Sequence, residues 1–428
     1  MPTILLHTLG CKVNQYESQS IIEQFLNNGY TVSKDNTADI IIINSCTVTA
    51  ESDRKTRQLL HRCRRENFES VIVLTGCMVQ AFPDRTLEPN DADIIIGNTE
   101  THRLYEIVSV HLKSKTQFSL INKHTNNEIF SPLSVNDFSE RTRAYMKIED
   151  GCDRYCTYCI IPYARGRVRS RSLEDIKKEA ERLGNAGFCE IVVVGINLSS
   201  YGKGENFNLC DAIDAICSVD KIKRVRLGSL EPDLITDEML DRLASEEKFC
   251  PQFHLSLQSG CSSTLKRMNR HYDADFYYDL VTRIRNRFDN PSITTDIMVG
   301  FAGETEEEFC ESIDFVEKVS FAKSHIFAYS RREGTIAATY QNQISNKEKQ
   351  LRSKRMFSVT EKTEKKFLES QLEKTVPVLF ETIEDGYFVG YSPNYTKVFV
   401  KSESNLNNKI IEVKLSELFK DGCLGEIV

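Results

Sequence analysis

The sequence predicts an α/β protein in three parts: an N-terminal open parallel α/β sheet, a central partial (β/α)6 barrel and a small C-terminal β-barrel. Three observations predict this fold class. Apolar strand segments alternate with helical segments over residues 1–115, longer strand–helix units occupy residues 143–345, and short strands with Gly and Pro-Asn turns fill residues 374–428. Alternating strands and helices favour parallel sheets, whereas closely spaced short strands favour a small barrel.

The N-terminal sheet is predicted from four near-continuous apolar segments, which are typical of strands covered on both faces. They read TILLHTLG, DIIIIN, SVIVLTG and ADIIIG. Helices are predicted between them at YESQSIIEQFLNNG and RKTRQLLHRCRR. Residues 116–142 are more polar and Asn-rich, so we interpret them as a linker.

The central barrel is predicted from six strand segments separated by helical patterns. The strands read RAYMKI, EIVVVG, RVRLGS, FHLSL, ITTDIMVG and SHIFAYS. Six such units indicate a barrel or partial barrel of parallel strands. A charged helix is predicted over residues 346–373, ahead of the C-terminal barrel.

Composition and charge narrow the possible functions. The chain has 428 residues, 40 % of them hydrophobic, and a formal net charge of −7. This charge gives no overall attraction to nucleic acid or to a membrane surface. No segment resembles a membrane-spanning helix or a signal peptide. We therefore expect a cytoplasmic protein without a membrane partner, whose 14 cysteines stay reduced.

A short loop after the first barrel strand carries three thiols. The segment GCDRYCTYC contains Cys152, Cys156 and Cys159. Active sites of parallel barrels lie at this end of the strands. A structural zinc site normally takes four protein ligands, and the neighbouring sequence offers no fourth. The spacing favours an iron–sulfur cluster with one open iron, with structural zinc or unliganded thiols as the alternatives.

A second set of three thiols follows strands of the N-terminal sheet. The segments HTLGC, IINSC and VLTGC end at Cys11, Cys46 and Cys77. Carboxyl ends of parallel strands share one edge of a sheet, so these thiols are expected to converge. The alternative is that they are buried core cysteines. Three equivalent positions favour a metal site, again with an open coordination position.

The first loop resembles the Cys-x-x-x-Cys-x-x-Cys loop of the radical S-adenosylmethionine enzymes. The resemblance implies a 4Fe-4S cluster on Cys152, Cys156 and Cys159, with S-adenosylmethionine on the fourth iron. Cleavage of that cofactor would give methionine and a 5′-deoxyadenosyl radical. Tyr158 stands where these enzymes commonly have an aromatic residue.

With both sets of thiols, the chain is similar to the methylthiotransferase family. The resemblance implies a second 4Fe-4S cluster on Cys11, Cys46 and Cys77, and a C-terminal TRAM domain that binds RNA. The segment TLGCKVNQYES looks most like the branch that acts on threonylcarbamoyladenosine in tRNA. One departure is Ala302, where the family commonly has Pro.

The resemblance also implies the reaction and its partners. A methylthio group would replace hydrogen on carbon 2 of the modified adenine at position 37, using two molecules of S-adenosylmethionine per turnover. The partners would be a tRNA anticodon stem-loop, an electron donor such as flavodoxin or ferredoxin, and a sulfur source. The alternatives are methylthiolation of isopentenyladenosine or of a ribosomal-protein aspartate. An iron–sulfur electron carrier and a zinc-stabilised RNA-binding protein are alternatives of a different class.

Candidate cofactor contacts are polar or small residues at the ends of barrel strands, where they could also serve only as caps or turns. Besides Tyr158, they are Gly195, Asn197, Ser229, Glu231, Gln258 and Asp296.

Candidate RNA contacts lie in two basic segments. In ARGRVRSR, alternate arginines of an extended segment would point to one side, toward phosphate or the cofactor carboxylate, unless they form salt bridges. The helix DRKTRQLLHRCRR is predicted to lie along the tRNA stem. The candidates are Arg165, Arg167, Arg169, Arg57, Arg62 and Arg64. In the C-terminal barrel, Tyr391, Tyr395 and Phe399 could stack on bases or belong to the core.

Overall fold

The computed structural model describes residues 1–85, 91–126, 128–131, 133–136 and 142–428. Its strands form an open parallel sheet, two neighbouring groups of parallel strands and a closed barrel, in that order along the chain. The predicted α/β fold class is confirmed.

The N-terminal sheet contains six parallel strands in the order β2-β1-β3-β4-β5-β6. The strands are β1 (Thr3–Thr8), β2 (Thr31–Val32), β3 (Ile40–Ser45), β4 (Val71–Gly76), β5 (Ile94–Ile96) and β6 (Phe118–Leu120). The helices are α1 (Lys12–Leu26), α2 (Ala50–Glu66), α3 (Cys77–Ala81) and α4 (Leu104–Ser114). Isoleucines of β3 alternate between two apolar clusters, one on each face, which explains its continuous apolar sequence.

One N-terminal prediction needs correction. Residues 116–142 were expected to be a linker, yet β6 lies within them and pairs with β5. Its phenylalanine is exposed, as on an edge strand, so the polar sequence around it gave no strand signal.

The central strands run in the order β7-β10-β11, continued by β12-β13-β14-β15. They are β7 (Arg143–Lys147), β10 (Glu190–Val194), β11 (Arg224–Leu227), β12 (Ser229–Leu230), β13 (Gln252–Leu255), β14 (Ser292–Val299) and β15 (Lys323–Ala328). A short antiparallel pair, β8 (Glu149–Asp150) and β9 (Arg169–Ser170), brackets the three-thiol loop. The helices are α5 (Ile161–Arg165), α6 (Leu173–Asn185), α7 (Leu209–Cys217), α8 (Asp237–Ser245), α9 (Ser262–Arg267), α10 (Ala274–Arg287) and α11 (Glu306–Val319).

A long helix leads to the C-terminal barrel. After α12 (Asn346–Glu369), the strands β16 (Thr375–Glu384), β17 (Tyr387–Tyr391), β18 (Lys397–Val400), β19 (Ile410–Phe419) and β20 (Gly422–Ile427) close into a barrel. Among the described residues, no helix is long and apolar enough to span a membrane.

The three aromatic residues considered for base stacking make contacts within the protein. Phe399 is fully buried, so the structure excludes it as a base-stacking residue. The rings of Tyr391 and Tyr395 stack on each other at 4.5 Å, and the guanidinium of Arg143 lies 5.0 Å from each ring. These contacts join the C-terminal barrel to the central barrel.

Candidate functional site

The thiols of Cys152, Cys156 and Cys159 occupy the loop between β8 and α5, where backbone hydrogen bonds fix it. The amide of Cys152 donates to the carbonyl of Gly166 at 3.0 Å, and that of Cys159 to Cys156 at 2.9 Å. Burial raises the pKa of Cys152 and of Cys159 to about 12. Thiolates at these positions therefore require a positively charged group such as iron.

Two polar side chains lie directly beside these sulfurs. The amide nitrogen of Asn197 is 3.8 Å from the Cys152 sulfur, and a guanidinium nitrogen of Arg270 is 3.3 Å from the Cys156 sulfur. Arg270 also forms a 2.8 Å ion pair with Glu231. Of the predicted cofactor contacts, Asn197 and Glu231 thus lie next to the thiol loop. Arg270 is not among the predicted contacts, because it follows the helix α9 and belongs to no distinguishing motif.

Tyr158 and Gly195 shape the surroundings of the loop. The ring of Tyr158 packs edge-on against Phe301, and its hydroxyl lies 3.5 Å from Arg270. A side chain at Gly195 would approach the buried carboxylate of Glu149 to 2.6 Å. That carboxylate accepts a 2.7 Å hydrogen bond from the backbone amide of Asn197, so the glycine preserves the position of Asn197.

The remaining predicted cofactor contacts lie on neighbouring strands or, for Gln258, just after one. Ser229 is exposed on β12 opposite His254 of β13. The amide of Gln258 donates to the carbonyl of Asp296 at 2.9 Å. The Asp296 carboxylate lies 3.3 Å from the imidazole of His254. These residues form a polar group across β12, β13 and β14.

The second set of thiols converges at one edge of the N-terminal sheet. The sulfurs of Cys11 and Cys77 lie 3.9 and 4.0 Å from the same side-chain oxygen of Asn14. A Cβ atom at Gly10 would lie 2.7 Å from the Cys46 sulfur, so a glycine is needed for this close approach. Cys46 and Cys77 are buried and Cys11 is exposed, so the site opens on the side of Cys11.

The donor set fits an iron–sulfur cluster better than a single ion. Among the described residues, no three His, Cys, Asp or Glu side chains are arranged to hold one metal ion. A cubane cluster binds each thiolate through a different iron and needs a wider arrangement. Burial raises the pKa of Cys77 to about 12 and raises that of Cys46, so both thiolates require a compensating positive charge.

The structure corrects the prediction for Arg165. Its side chain is only 1 % exposed and cannot contact RNA. It ends the helix α5 rather than lying on an extended segment, and it points toward Glu17 and Cys77. Arg169 is also largely enclosed, within 3.5 Å of both Glu128 and Asp150.

The other arginine candidates differ in exposure. Arg167 is exposed, as are Arg57 and Arg62 on α2. Arg64 instead forms a 2.6 Å ion pair with Asp93 and donates to backbone carbonyls, so it anchors α2 to the sheet. This anchoring role is the one the structure gives Arg64, and its contact with RNA stays a prediction.

A buried group of charges connects the two thiol sites. Lys147 lies 2.6 Å from both Glu17 and Asp150, and all three side chains are buried. These charges join α1 of the N-terminal sheet to the first barrel strand. The lysine in the predicted strand RAYMKI was the available signal in the sequence, but its partner Glu17 is distant in the chain.

A partial parallel barrel with three thiols at its mouth, joined to a sheet with three more, defines a radical S-adenosylmethionine enzyme with an auxiliary site. The model described as "Radical SAM superfamily" matches residues 146–316, and "Uncharacterized protein family UPF0004" matches residues 3–97. A solved structure of the radical S-adenosylmethionine methyltransferase TsrM from Kitasatospora setae shares the fold. Its TM-score is 0.57 at 13 % identity, covering 76 % of this chain and 71 % of that chain.

Curated relatives identify the family within this class. "Threonylcarbamoyladenosine tRNA methylthiotransferase MtaB" of Bacillus subtilis is 36 % identical, over 97 % of this chain and 94 % of the relative. "tRNA-2-methylthio-N(6)-dimethylallyladenosine synthase" of Alkaliphilus oremlandii is 31 % identical, over 99 % of this chain and 92 % of the relative. The chain belongs to the radical S-adenosylmethionine tRNA methylthiotransferase family.

Proposed function

We propose that this enzyme adds a methylthio group to carbon 2 of N6-threonylcarbamoyladenosine at position 37 of tRNA. Relatives from both substrate branches match the chain, so their names do not decide which adenosine is modified. The choice is therefore argued from the site. The two candidate nucleosides differ chemically, because the threonylcarbamoyl group carries a carboxylate and the dimethylallyl group is purely apolar. The observation that carries the proposal is the cation Lys12, which directly follows Cys11.

Lys12 is the first residue of α1, and the next residue, Val13, packs against Val192 and Val194 of barrel strand β10. The Lys12 side chain is exposed beside Cys11. The charges that act on its ammonium are those of Arg143, Arg226 and Glu190 on the barrel strands, so it lies near these strands. Among the described residues, none forms an ion pair with it. Arg143 and Arg226, the nearby cations, are paired with Glu381 and Glu190. A substrate carboxylate would complete this arrangement, whereas a dimethylallyl group would leave the ammonium unpaired.

The two sets of cysteines would hold the cofactors of the reaction. We assign one 4Fe-4S cluster to Cys152, Cys156 and Cys159, and a second to Cys11, Cys46 and Cys77. Together with two molecules of S-adenosylmethionine per turnover, the clusters supply the sulfur, the methyl group and the radical.

The residues around the thiols would bind and orient the cofactor and the substrate base. Glu231 and Arg270 offer a carboxylate and a guanidinium for the charged ends of the cofactor beside Cys156. Asn197 donates toward the Cys152 sulfur. The exposed side of Cys11 faces the incoming base, while the buried sides of Cys46 and Cys77 exclude water.

The partners follow from this reaction. The anticodon stem-loop presents position 37 in a single-stranded loop, where a base can be turned out of its stack. The exposed guanidinium groups of Arg57, Arg62 and Arg167 are available for its phosphates. A low-potential electron donor such as flavodoxin or ferredoxin and a sulfur source are also required. We expect the enzyme to act in the cytoplasm, with its tRNA substrate.

The first test is mass spectrometry of tRNA nucleosides from cells with and without the gene. We expect 2-methylthio-threonylcarbamoyladenosine to disappear in the deletion strain while its precursor accumulates. An unchanged level of that nucleoside, with loss of a methylthiolated isopentenyladenosine instead, would overturn the substrate assignment but retain the family chemistry.

The two cluster sites can be separated by substitution. Cys152→Ala should abolish formation of 5′-deoxyadenosine, because the cluster that would bind S-adenosylmethionine loses one of its three thiolate ligands. Cys77→Ala should retain that cleavage and lose the methylthiolated product. Cys63→Ala, a buried cysteine on α2 away from both sets, is the matched control and should keep both activities. Methylthiolated product from the Cys77→Ala enzyme would refute the auxiliary-site assignment.

A further inference from the structure

One side chain connects the helix after the first thiol loop to the second thiol site. Arg165 ends α5, six residues after Cys159, and its guanidinium is buried between the central barrel and the N-terminal sheet. Its Nε atom lies 3.1 Å from the Cys77 sulfur. One Nη atom lies 2.7 Å from the Asn14 oxygen and 2.9 Å from Glu17.

The surrounding charges explain why this guanidinium remains a cation. Burial alone would lower its pKa, but the charges of Cys77, Glu17 and Asp150 raise the pKa well above its ordinary value. Lys147 already lies 2.6 Å from both carboxylates. The two buried cations, together with the largely enclosed Arg169, thus face the two buried carboxylates. The Nε–H of Arg165 is directed at the sulfur. A thiolate at Cys77 would receive a charge-assisted hydrogen bond from a fixed donor.

Asn14 extends this arrangement to a second sulfur. Its amide nitrogen donates to the carbonyl of Leu9 at 2.8 Å and to that of Ser45 at 3.0 Å. These bonds orient its oxygen toward Arg165 and toward the sulfurs of Cys11 and Cys77. Partners on α1 therefore hold the guanidinium of Arg165 in place. Its position relative to Cys77 is determined by the packing of the N-terminal sheet against the central barrel.

We propose that Arg165 is a positioning residue that fixes the Cys77 thiolate and raises the reduction potential of the auxiliary cluster. This inference rests on the proposed two-cluster function. A positive charge and an N–H donor beside a cluster ligand stabilise the reduced, more negative form of a cluster. Because the same side chain ends the helix that follows Cys159, it also fixes the position of one thiol site relative to the other.

The test isolates the auxiliary cluster in the full-length chain. The parent protein carries Cys152→Ala, Cys156→Ala and Cys159→Ala, and its cluster is followed by electron paramagnetic resonance during a redox titration. Adding Arg165→Gln should shift the midpoint to a more negative potential. Arg165→Lys, which keeps the charge but not the Nε–H geometry, should shift it less. Arg167→Gln, two residues away and exposed, is the matched control and should leave the potential at the parent value.

The outcomes separate the inference from the proposed function. A parent protein that binds no iron and sulfide would refute the auxiliary cluster itself. A fully loaded Arg165→Gln protein with the parent potential would overturn the role of Arg165. Loss of iron from both Arg165 variants, with unchanged thermal unfolding of the apoprotein, would support a role in holding the thiolate. Loss of iron together with a lower unfolding temperature would show that Arg165 only stabilises the fold, and this result would also overturn the inference.

Discussion

At the scale of single residues, the proposed recognition of the substrate carboxylate depends on Lys12. Lys12→Met removes the charge while keeping a similar length, so the substrate carboxylate would lose its partner. A hydrogen bond to a charged group contributes about 1.5–3 kcal/mol, so kcat/KM for tRNA carrying threonylcarbamoyladenosine should fall about tenfold to hundredfold.

Two further variants control this measurement. Lys12→Arg should retain most of the activity, because it keeps a cation at the same position. Lys113→Met removes an exposed lysine on α4 and should retain all of the activity. Equal kcat/KM values for the Lys12→Met variant and the wild-type enzyme would contradict carboxylate recognition.

At the scale of elements, two arginines of the central strand β11 hold the C-terminal barrel. Arg226 donates to the carbonyl of Pro393 at 2.8 Å, and Arg224 donates to that of Pro377 at 2.6 Å. Arg226 is 1 % exposed and is also paired with Glu190. The contact between the two barrels therefore depends on buried guanidinium groups and backbone carbonyls.

This contact can be tested by truncating one side chain. Arg226→Ala leaves Glu190 with one fewer cation, and breaking a buried pair typically costs about 3–5 kcal/mol. We expect faster limited proteolysis between α12 and β16, with fragments identified by mass spectrometry. Arg283→Ala removes a more exposed arginine paired with Asp237 and should leave the cleavage rate unchanged. Equal rates for the Arg226→Ala protein and wild type would show that other contacts hold the barrel.

At the scale of the whole molecule, buried polar contacts join the N-terminal sheet to the central barrel. Besides the pair between Lys147 and Glu17, Arg332 lies 2.6 Å from Asp53. The hydroxyl of Tyr16 lies 3.1 Å from the Glu179 carboxylate. Because separating these groups would expose unpaired charges, the two domains are expected to stay docked during the reaction.

Hydrogen exchange measured by mass spectrometry tests whether the domains stay docked. Peptides covering α1 and β7 should keep the same protection when S-adenosylmethionine is added. Glu17→Gln should increase exchange in both peptides, because Lys147 and Arg165 then lose a buried counter-charge. Glu23→Gln, the same change at a half-buried position of α1, gives the comparison for general effects on this helix. Faster exchange in the wild-type protein on cofactor addition would instead indicate that the domains separate.

The contrast between correct and incorrect predictions has a physical basis. Strand segments such as DIIIIN were predictable because burial on both faces demands continuous apolar sequence. The convergence of Cys11, Cys46 and Cys77 was also predictable, because parallel strands end at a common edge. In contrast, the exposed edge strand β6 has no such pattern. Arg165 was assigned to RNA because charge alone does not reveal whether a cation is exposed or buried with its partners.

The sequence by itself determined the α/β class, the two sets of three cysteines and the family, since each depends on local spacing or on strand periodicity. Only the tertiary structure decided which charges are buried together. Glu17, Lys147 and Arg165 come from three distant segments, and they meet because α1, β7 and α5 pack at one interface. Burial in that interface makes each charge depend on its partners, and no single segment carries information about partners so far away in the chain.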